Sequence, residues 1–144
     1  MVDRSIRSLI ADTECITCPE SMTVSEAARV MKRHRIGAIM VVESDQLIGI
    51  FTERDALFRV VADDRDLNTT RVADVMTRNP QSIAPDKPFA DALKLMHTGR
   101  FRHVPVVERG RPVGMVSASD AMGPELEAFV WEIIRQEQAN DVLA

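Results

Sequence analysis

The feature that most constrains this chain is a seven-residue stretch that occurs twice. Gly49-Ile50-Phe51-Thr52-Glu53-Arg54-Asp55 returns 65 residues later as Gly114-Met115-Val116-Ser117-Ala118-Ser119-Asp120. Each copy runs glycine, two apolar residues, a hydroxyl residue and, three places on, an aspartate. The similarity is wider than the motif. At this offset residues 23–57 align with 88–122 without a gap, and nine of the 35 pairs are identical. Met31/Met96, Arg35/Arg100, Val41/Val106, Gly49/Gly114 and Asp55/Asp120 are among them. Self-similarity of this kind marks one supersecondary unit used repeatedly. Two copies are too few for a solenoid, so two halves packed about a pseudo-twofold axis are expected.

Periodicity supplies the elements of each half. Thr23-Val24-Ser25-Glu26 reads as a capping box, with Thr23 as cap and Glu26 reaching back. Val24, Ala27, Ala28 and Met31 then follow the spacing of one buried helical face, to about His34. Ala38–Val42 and Leu47–Phe51 read as the strands of a hairpin, separated by the polar turn 43–46. After Thr52 a helix to about Ala62 is expected, with Leu57, Val60 and Val61 as its apolar stripe. The second half replays this order. It has a short helix at Val72–Met76, a short strand at Gln81–Ala84, and a helix from Pro88 with Phe89, Ala92, Leu93 and Met96 inward. Its hairpin is Val104–Val107 and Val113–Val116. Pro105 marks its strand as an edge or as one with an unpaired residue. A short strand is expected at Cys15–Cys18 and a helical turn around Ile6, Leu9 and Ile10. A final helix at about Glu125–Gln138 would carry Leu126, Phe129, Val130, Ile133 and Ile134 on one face.

The duplicated stretch therefore falls at two strand-to-helix corners. Backbone N–H groups at a helix start, with the macrodipole, favour an anion such as phosphate. Thr52 or Ser117 can add a hydroxyl hydrogen bond. A carboxylate at Asp55 or Asp120 can accept from both hydroxyls of a ribose. Gly49 and Gly114 permit close approach of backbone or ligand. The same spacing, Thr52-x-x-Asp55 and Ser117-x-x-Asp120, also fits helix capping. The two roles are compatible in a ligand-free state.

Strand, helix, strand, strand, helix, closing on this motif twice in register, resembles the cystathionine-β-synthase-type (CBS) domain in tandem, a Bateman module. The resemblance covers roughly residues 5–122 and implies an α+β fold of two βαββα repeats with a C-terminal helix. The division expected is 1–66 for repeat one with its lead, 67–123 for repeat two and 124–144 for the helix. It further implies adenine-nucleotide binding in two clefts between the halves, regulation rather than catalysis, and frequent dimerisation. Carried onto this sequence, the adenine slots would use Thr17-Cys18 with Ile36 to Ile39, Ala38 included. Their counterparts are Ser82-Ile83 with Phe101 to Pro105, which includes Val104 and Pro105. Thr52, Arg54 and Asp55, and Ser117 and Asp120, would hold ribose and phosphate.

The halves differ in charge. Arg102 and His103 precede the second hairpin where Gly37 and Ala38 precede the first, so unequal sites are expected. The Ser117/Asp120 corner is taken as the better equipped and Thr52/Asp55 as the lesser. AMP, ADP or ATP is the expected ligand, with NAD(H) or S-adenosylmethionine as the alternative. A structural oligomerisation module with empty clefts is a second alternative.

Other classes find less support. A net charge of −4 disfavours a general nucleic-acid binder, and Lys32-Arg33-His34-Arg35 suits a helix C-terminus. Cys15-x-x-Cys18 lacks the second ligand pair of a zinc site and reads as ordinary partly buried thiols. No nucleophile–base pair stands out, so no enzyme is expected. Nothing in Met1–Ile10 reads as a signal peptide and no apolar run approaches the ~18 residues of a membrane span. A cytoplasmic homodimer, acting on a regulated protein and on neither membrane nor nucleic acid, is the expectation.

Overall fold

The structure is a computed structural model and describes residues 4–143. The elements are α1 (Ile6–Ile10), β1 (Thr17–Pro19), α2 (Val24–His34), β2 (Ala38–Glu43), β3 (Gln46–Thr52) and α3 (Glu53–Asp55). A π-helical stretch, Ala56–Val61, continues α3. Then come α4 (Val72–Val75), β4 (Thr77–Arg78), α5 (Phe89–Gly99), β5 (His103–Glu108) and β6 (Arg111–Ser117). A 3-10 turn, Ala118–Met122, leads into α6 (Gly123–Leu143). Among the described residues no helix is long and apolar enough to cross a membrane.

The fold is mixed α+β, with two hairpins at its centre and a helix packed against each. One sheet has the order β1-β2-β3-β4, and β5-β6 form the other. The hairpin turns are tight because their tips tolerate positive φ. Ser44 and Asp45 stand at φ 50° and 62°, and Arg109 and Gly110 at 54° and 80°. Such primed turns match the twist of the flanking strands. The α2 capping box forms as the sequence predicts: Thr23 Oγ1 accepts from Glu26 N at 3.2 Å, and Glu26 accepts from Thr23 N at 3.3 Å.

The second half lacks the predicted strand at Gln81–Ala84, and two prolines explain it. Ile83 makes one parallel bridge to Val106, donating to Pro105 O at 3.0 Å and accepting from Val107 N at 2.9 Å. Extending that ladder would need N–H groups at residues 85 and 105, and both are proline. In the first half the equivalent positions are Glu20 and Met40, and a three-residue strand forms. The sequence reading also missed β4, whose two residues pair with Gly49 and Ile50 of β3.

The lead helices cross between the halves. Ile6 and Ile10 of α1 sit in the core of the second half, among Phe89, Met96, Val104 and Val116. Val72, Val75 and Met76 complete the core of the first half, among Met31, Ile39, Val41 and Phe51. The division at residue 66 is thus crossed by packing in both directions. This crossing also assigns the two motif glycines. A Cβ on Gly114 would meet Ile10, and one on Gly49 would meet Met76. The close approach made there is by a lead segment.

The helices after the hairpins depart from expectation. Of the stripe Leu57, Val60 and Val61, only Val60 is buried, while Leu57 and Val61 are more than half exposed. The π-helical winding, seen in Ala62 N donating to Leu57 O, shifts the facing of these residues. Ala28 of α2 is likewise exposed. α6 starts at Gly123 and takes Pro124 into its first turn, where proline is tolerated. Its Phe129, Trp131, Ile133 and Ile134 are exposed or nearly so. The side chains of Leu126 and Val130 lie outside the described residues.

Candidate functional site

At the first corner the capping arrangement is complete. Thr52 Oγ1 accepts from Asp55 N at 3.1 Å, and Asp55 Oδ2 accepts from Thr52 N at 3.0 Å. Asp55 is 7% exposed, with Arg59 Nε 3.5 Å from its other oxygen. At the second corner Asp120 Oδ2 accepts from Ser117 N at 2.7 Å, while the hydroxyls of Ser117 and Ser119 pair at 2.6 Å. Arg4 Nη2 donates to Asp120 O at 2.6 Å. The backbone donors offered to an anion are partly spent already. Glu53 N donates to Gly37 O and Ala118 N to Arg102 O, each at 2.9 Å. Capping and ligand holding therefore draw on the same atoms, and side-chain cations carry more of any phosphate role.

Each corner opens on a cleft built from both halves. The larger, about 480 Å³, joins Thr52, Glu53, Arg54 and Asp55 to Asn79, Pro80 and Gln81 and to the run Gly99-Arg100-Phe101-Arg102-His103. Ile50 and Thr77 form the rest of its wall. The smaller, about 250 Å³, joins Ser117, Ser119 and Asp120 to Thr13, Glu14 and Ile16 and to Arg35-Ile36-Gly37. Met40, His103 and Met115 complete it. Under the 65-residue offset the two linings correspond: Glu14 with Asn79, Ile16 with Gln81, Ile36 with Phe101 and Met115 with Ile50.

This composition distributes the charges differently from the sequence expectation. Arg102 lies with the Thr52/Asp55 corner of the other half, not with Ser117/Asp120 of its own. The larger cleft sets Arg54, Arg100 and Arg102 against Glu53 and Asp55. The smaller sets Arg35 against Glu14 and Asp120. The first lining is therefore the more positive of the two. The sequence reading paired each cation with the nearest motif along the chain, whereas Arg102 shares a cleft with the motif of the other half.

Of the residues taken as site candidates, Ile36, Thr52, Arg54, Asp55, Arg102, His103, Ser117 and Asp120 line a cleft. Thr17, Cys18, Ala38, Ser82, Ile83, Val104 and Pro105 do not. Cys18, Ala38, Ile83, Val104 and Pro105 are buried strand or core residues, and Thr17 and Ser82 point to solvent. The clefts are lined instead by residues of the segments 13–16 and 79–81. Arg35 and Arg100 were missed as lining residues. Both cap a helix in the left-handed region, at φ 54° and 57°, where glycine or asparagine is usual. An arginine at that position in both repeats was the available signal.

His103 is half-buried between the corners. Burial lowers the pKa of its imidazole, Glu53 and Asp120 draw it upward and Arg102 opposes them. The net effect is a pKa below the usual imidazole value. Burial pushes the Cys18 thiol up to about 11 and raises that of Cys15, whose S–H meets Pro112 O at 3.5 Å. Among the described residues no group of three His, Cys, Asp or Glu could hold a metal ion.

Comparison with known proteins follows the geometry. The sequence profile of the CBS domain matches residues 6–62 and again 72–123. The CBS domain-containing protein CBSCBSPB5 of Arabidopsis thaliana is 36% identical over 110 residues, 76% of this chain but 20% of the plant protein. Among solved structures, the CBS-domain containing protein ATU1752 from Agrobacterium tumefaciens is 32% identical, covers 81% of this chain and 95% of its own, and has a TM-score of 0.73. The CBS domain protein PAE2072 from Pyrobaculum aerophilum, complexed with AMP, shares the fold at 23% identity and a TM-score of 0.76, over 92% of this chain and 99% of its own. With two matched repeats, two hairpins and two composite clefts, this chain belongs to the CBS-domain family as a tandem pair.

Proposed function

We propose that this protein is a non-catalytic sensor of adenosine-containing ligands, with the larger cleft as its principal site. The observation that carries the reading is the convergence there of Thr52 and Asp55 from one repeat with Arg100 and Arg102 from the other. Asp55 would hold the ribose. Arg102 and Arg54 would meet phosphate, a guanidinium being suited to a two-point grip on its oxygens. Phe101 and Ile50 offer apolar surface for the base. The volumes support this order: ligand pockets run from roughly 300 to 1,000 Å³, a range that includes the larger cleft at about 480 Å³, and the smaller, at about 250 Å³, is the secondary site. The AMP held by PAE2072 on the same fold supports an adenine ligand, AMP, ADP or ATP in the first instance. NAD(H) and S-adenosylmethionine carry the same adenosine portion and form the second reading.

A ligand spanning the halves changes their relative arrangement only as far as it binds one arrangement better. We infer that a protein partner reads that change, and that the exposed apolar residues of α6 serve assembly, as a homodimer, in the cytoplasm. The test is thermal-shift screening with AMP, ADP, ATP, NAD(H), S-adenosylmethionine and adenosine, on the native chain and on Arg102→Ala. A ligand at 100 times its Kd adds about 2.7 kcal/mol, a rise of roughly 5–10 °C at this chain length. Arg102→Ala should weaken ADP and ATP far more than adenosine. Equal losses would remove its phosphate role, and no response to any ligand would favour a structural module with empty clefts.

A further inference from the structure

His103 is the one described residue that lines both clefts. It opens β5. Its Nε2 lies 3.3 Å from the place a Cβ on Gly37 would occupy, and Glu53 Oε1 lies 3.1 Å from the same place. Glu53 lines the larger cleft and Gly37 the smaller. The imidazole edge, the Glu53 carboxylate and the Gly37 backbone thus meet at the partition between the two. Asp120, at the far corner, also acts on the ring. The repeat-related residue is Ala38, which is fully buried and lines neither cleft. Near-symmetry has therefore produced two clefts but only one such side chain.

We propose that His103 couples the two clefts, so that a nucleotide in the larger weakens binding in the smaller. This rests on the nucleotide-binding reading above. A neutral imidazole has one N–H donor and one bare nitrogen. A phosphate that engages the donor from one side withdraws it from the other. Arg102 lines the larger cleft and not the smaller, so the larger fills first. The smaller then keeps Arg35 against the carboxylates of Glu14 and Asp120. Binding linkage is reciprocal, so ligand in the smaller cleft weakens the larger by the same factor. The loss of one hydrogen bond to a charged group sets that factor at roughly tenfold or more.

The experiment is an AMP titration followed by amide NMR. Gly99 and Arg100 report on the larger cleft, and Ser119 and Asp120 on the smaller. In the native chain, filling the larger cleft should weaken the smaller about tenfold or more. In His103→Ala, which copies the repeat-related Ala38, the two should fill independently. His103→Gln keeps a side-chain N–H donor group beside an acceptor and should retain the coupling, which separates a lost donor from a damaged fold. Independent filling in the native chain overturns the proposal, as does the same coupling in His103→Ala. Tighter binding in the smaller cleft would mean a protonated ring serving both ligands, and overturns it too. Shifts at neither pair of amides would overturn the nucleotide reading itself, and the coupling with it.

Discussion

The two motif glycines should respond unequally to the same added methyl group. A Cβ on Gly114 would stand 2.8 Å from both Cβ and Cγ2 of Ile10, against 3.4–4 Å for ordinary contact. Ile10 Cβ is fixed to the α1 backbone, so no rotamer change moves it away. α1 is itself pinned, since Ile6 is fully buried and its N–H donates to Lys87 O at 3.1 Å. The clash must be met by shifting helix against strand, and overpacking of this kind costs about 1–3 kcal/mol. Replacing glycine within a strand returns about 0.5–1 kcal/mol through the unfolded chain. Gly114→Ala should therefore destabilise by about 1–2 kcal/mol. At Gly49 the same Cβ meets Sδ, Cε and Cγ of Met76, a flexible side chain that can turn aside. Gly49→Ala should fall within about 0.5 kcal/mol of the native chain. Urea denaturation followed by far-ultraviolet circular dichroism reads both, as shifts in midpoint at constant slope. Equal costs at the two positions would refute the assignment of these glycines to lead-segment packing.

Two further outcomes follow from the corners. Asp55→Ala removes a buried carboxylate that completes a capping box and faces Arg59, and should cost about 1–2 kcal/mol. Asp120→Ala, in the half-exposed corner, should cost less while abolishing ligand shifts at Ser119. Unchanged affinity with easy unfolding would leave Asp120 a helix cap alone. The half-buried His103 has a lowered folded pKa, so the unfolded chain binds its proton first as pH falls. Native stability should then decline below about pH 6.5, down through the lowered folded value, by more than in His103→Gln. Parallel urea midpoints for the two proteins between pH 7.5 and 5.5 would contradict this.

Much of the architecture was legible because periodicity and turn chemistry are local. The α2 capping box, both hairpins and the two corner motifs lie within a few residues of where the sequence puts them. What failed was non-local. Whether Gln81–Ala84 forms a strand depends on Pro105, more than 20 residues away, and on how both prolines face one ladder. Leu57 and Val61 carry an apolar spacing that an α-helix would bury, and a π-helical winding turns them outward. The site was half legible. Thr52, Asp55, Ser117 and Asp120 were found from their chemistry, but which arginines share their clefts depends on how the halves meet. No spacing along one half reveals that Arg102 faces Asp55.

The crossing of the lead segments has a consequence for how the chain is made. α1 leaves the ribosome well before β6, the strand that receives it. Arg4 and Asp120, joined by a single hydrogen bond, are 116 positions apart. The second core cannot close until β6 has been made, whereas the buried residues of the first all lie within 18–76. Assembly should therefore run from the first core outward, with α1 waiting, and the smaller cleft taking shape last. A chain severed between α4 and α5 would leave α1 on one fragment and its seat on the other, so the two pieces would have to find each other for the second core to close.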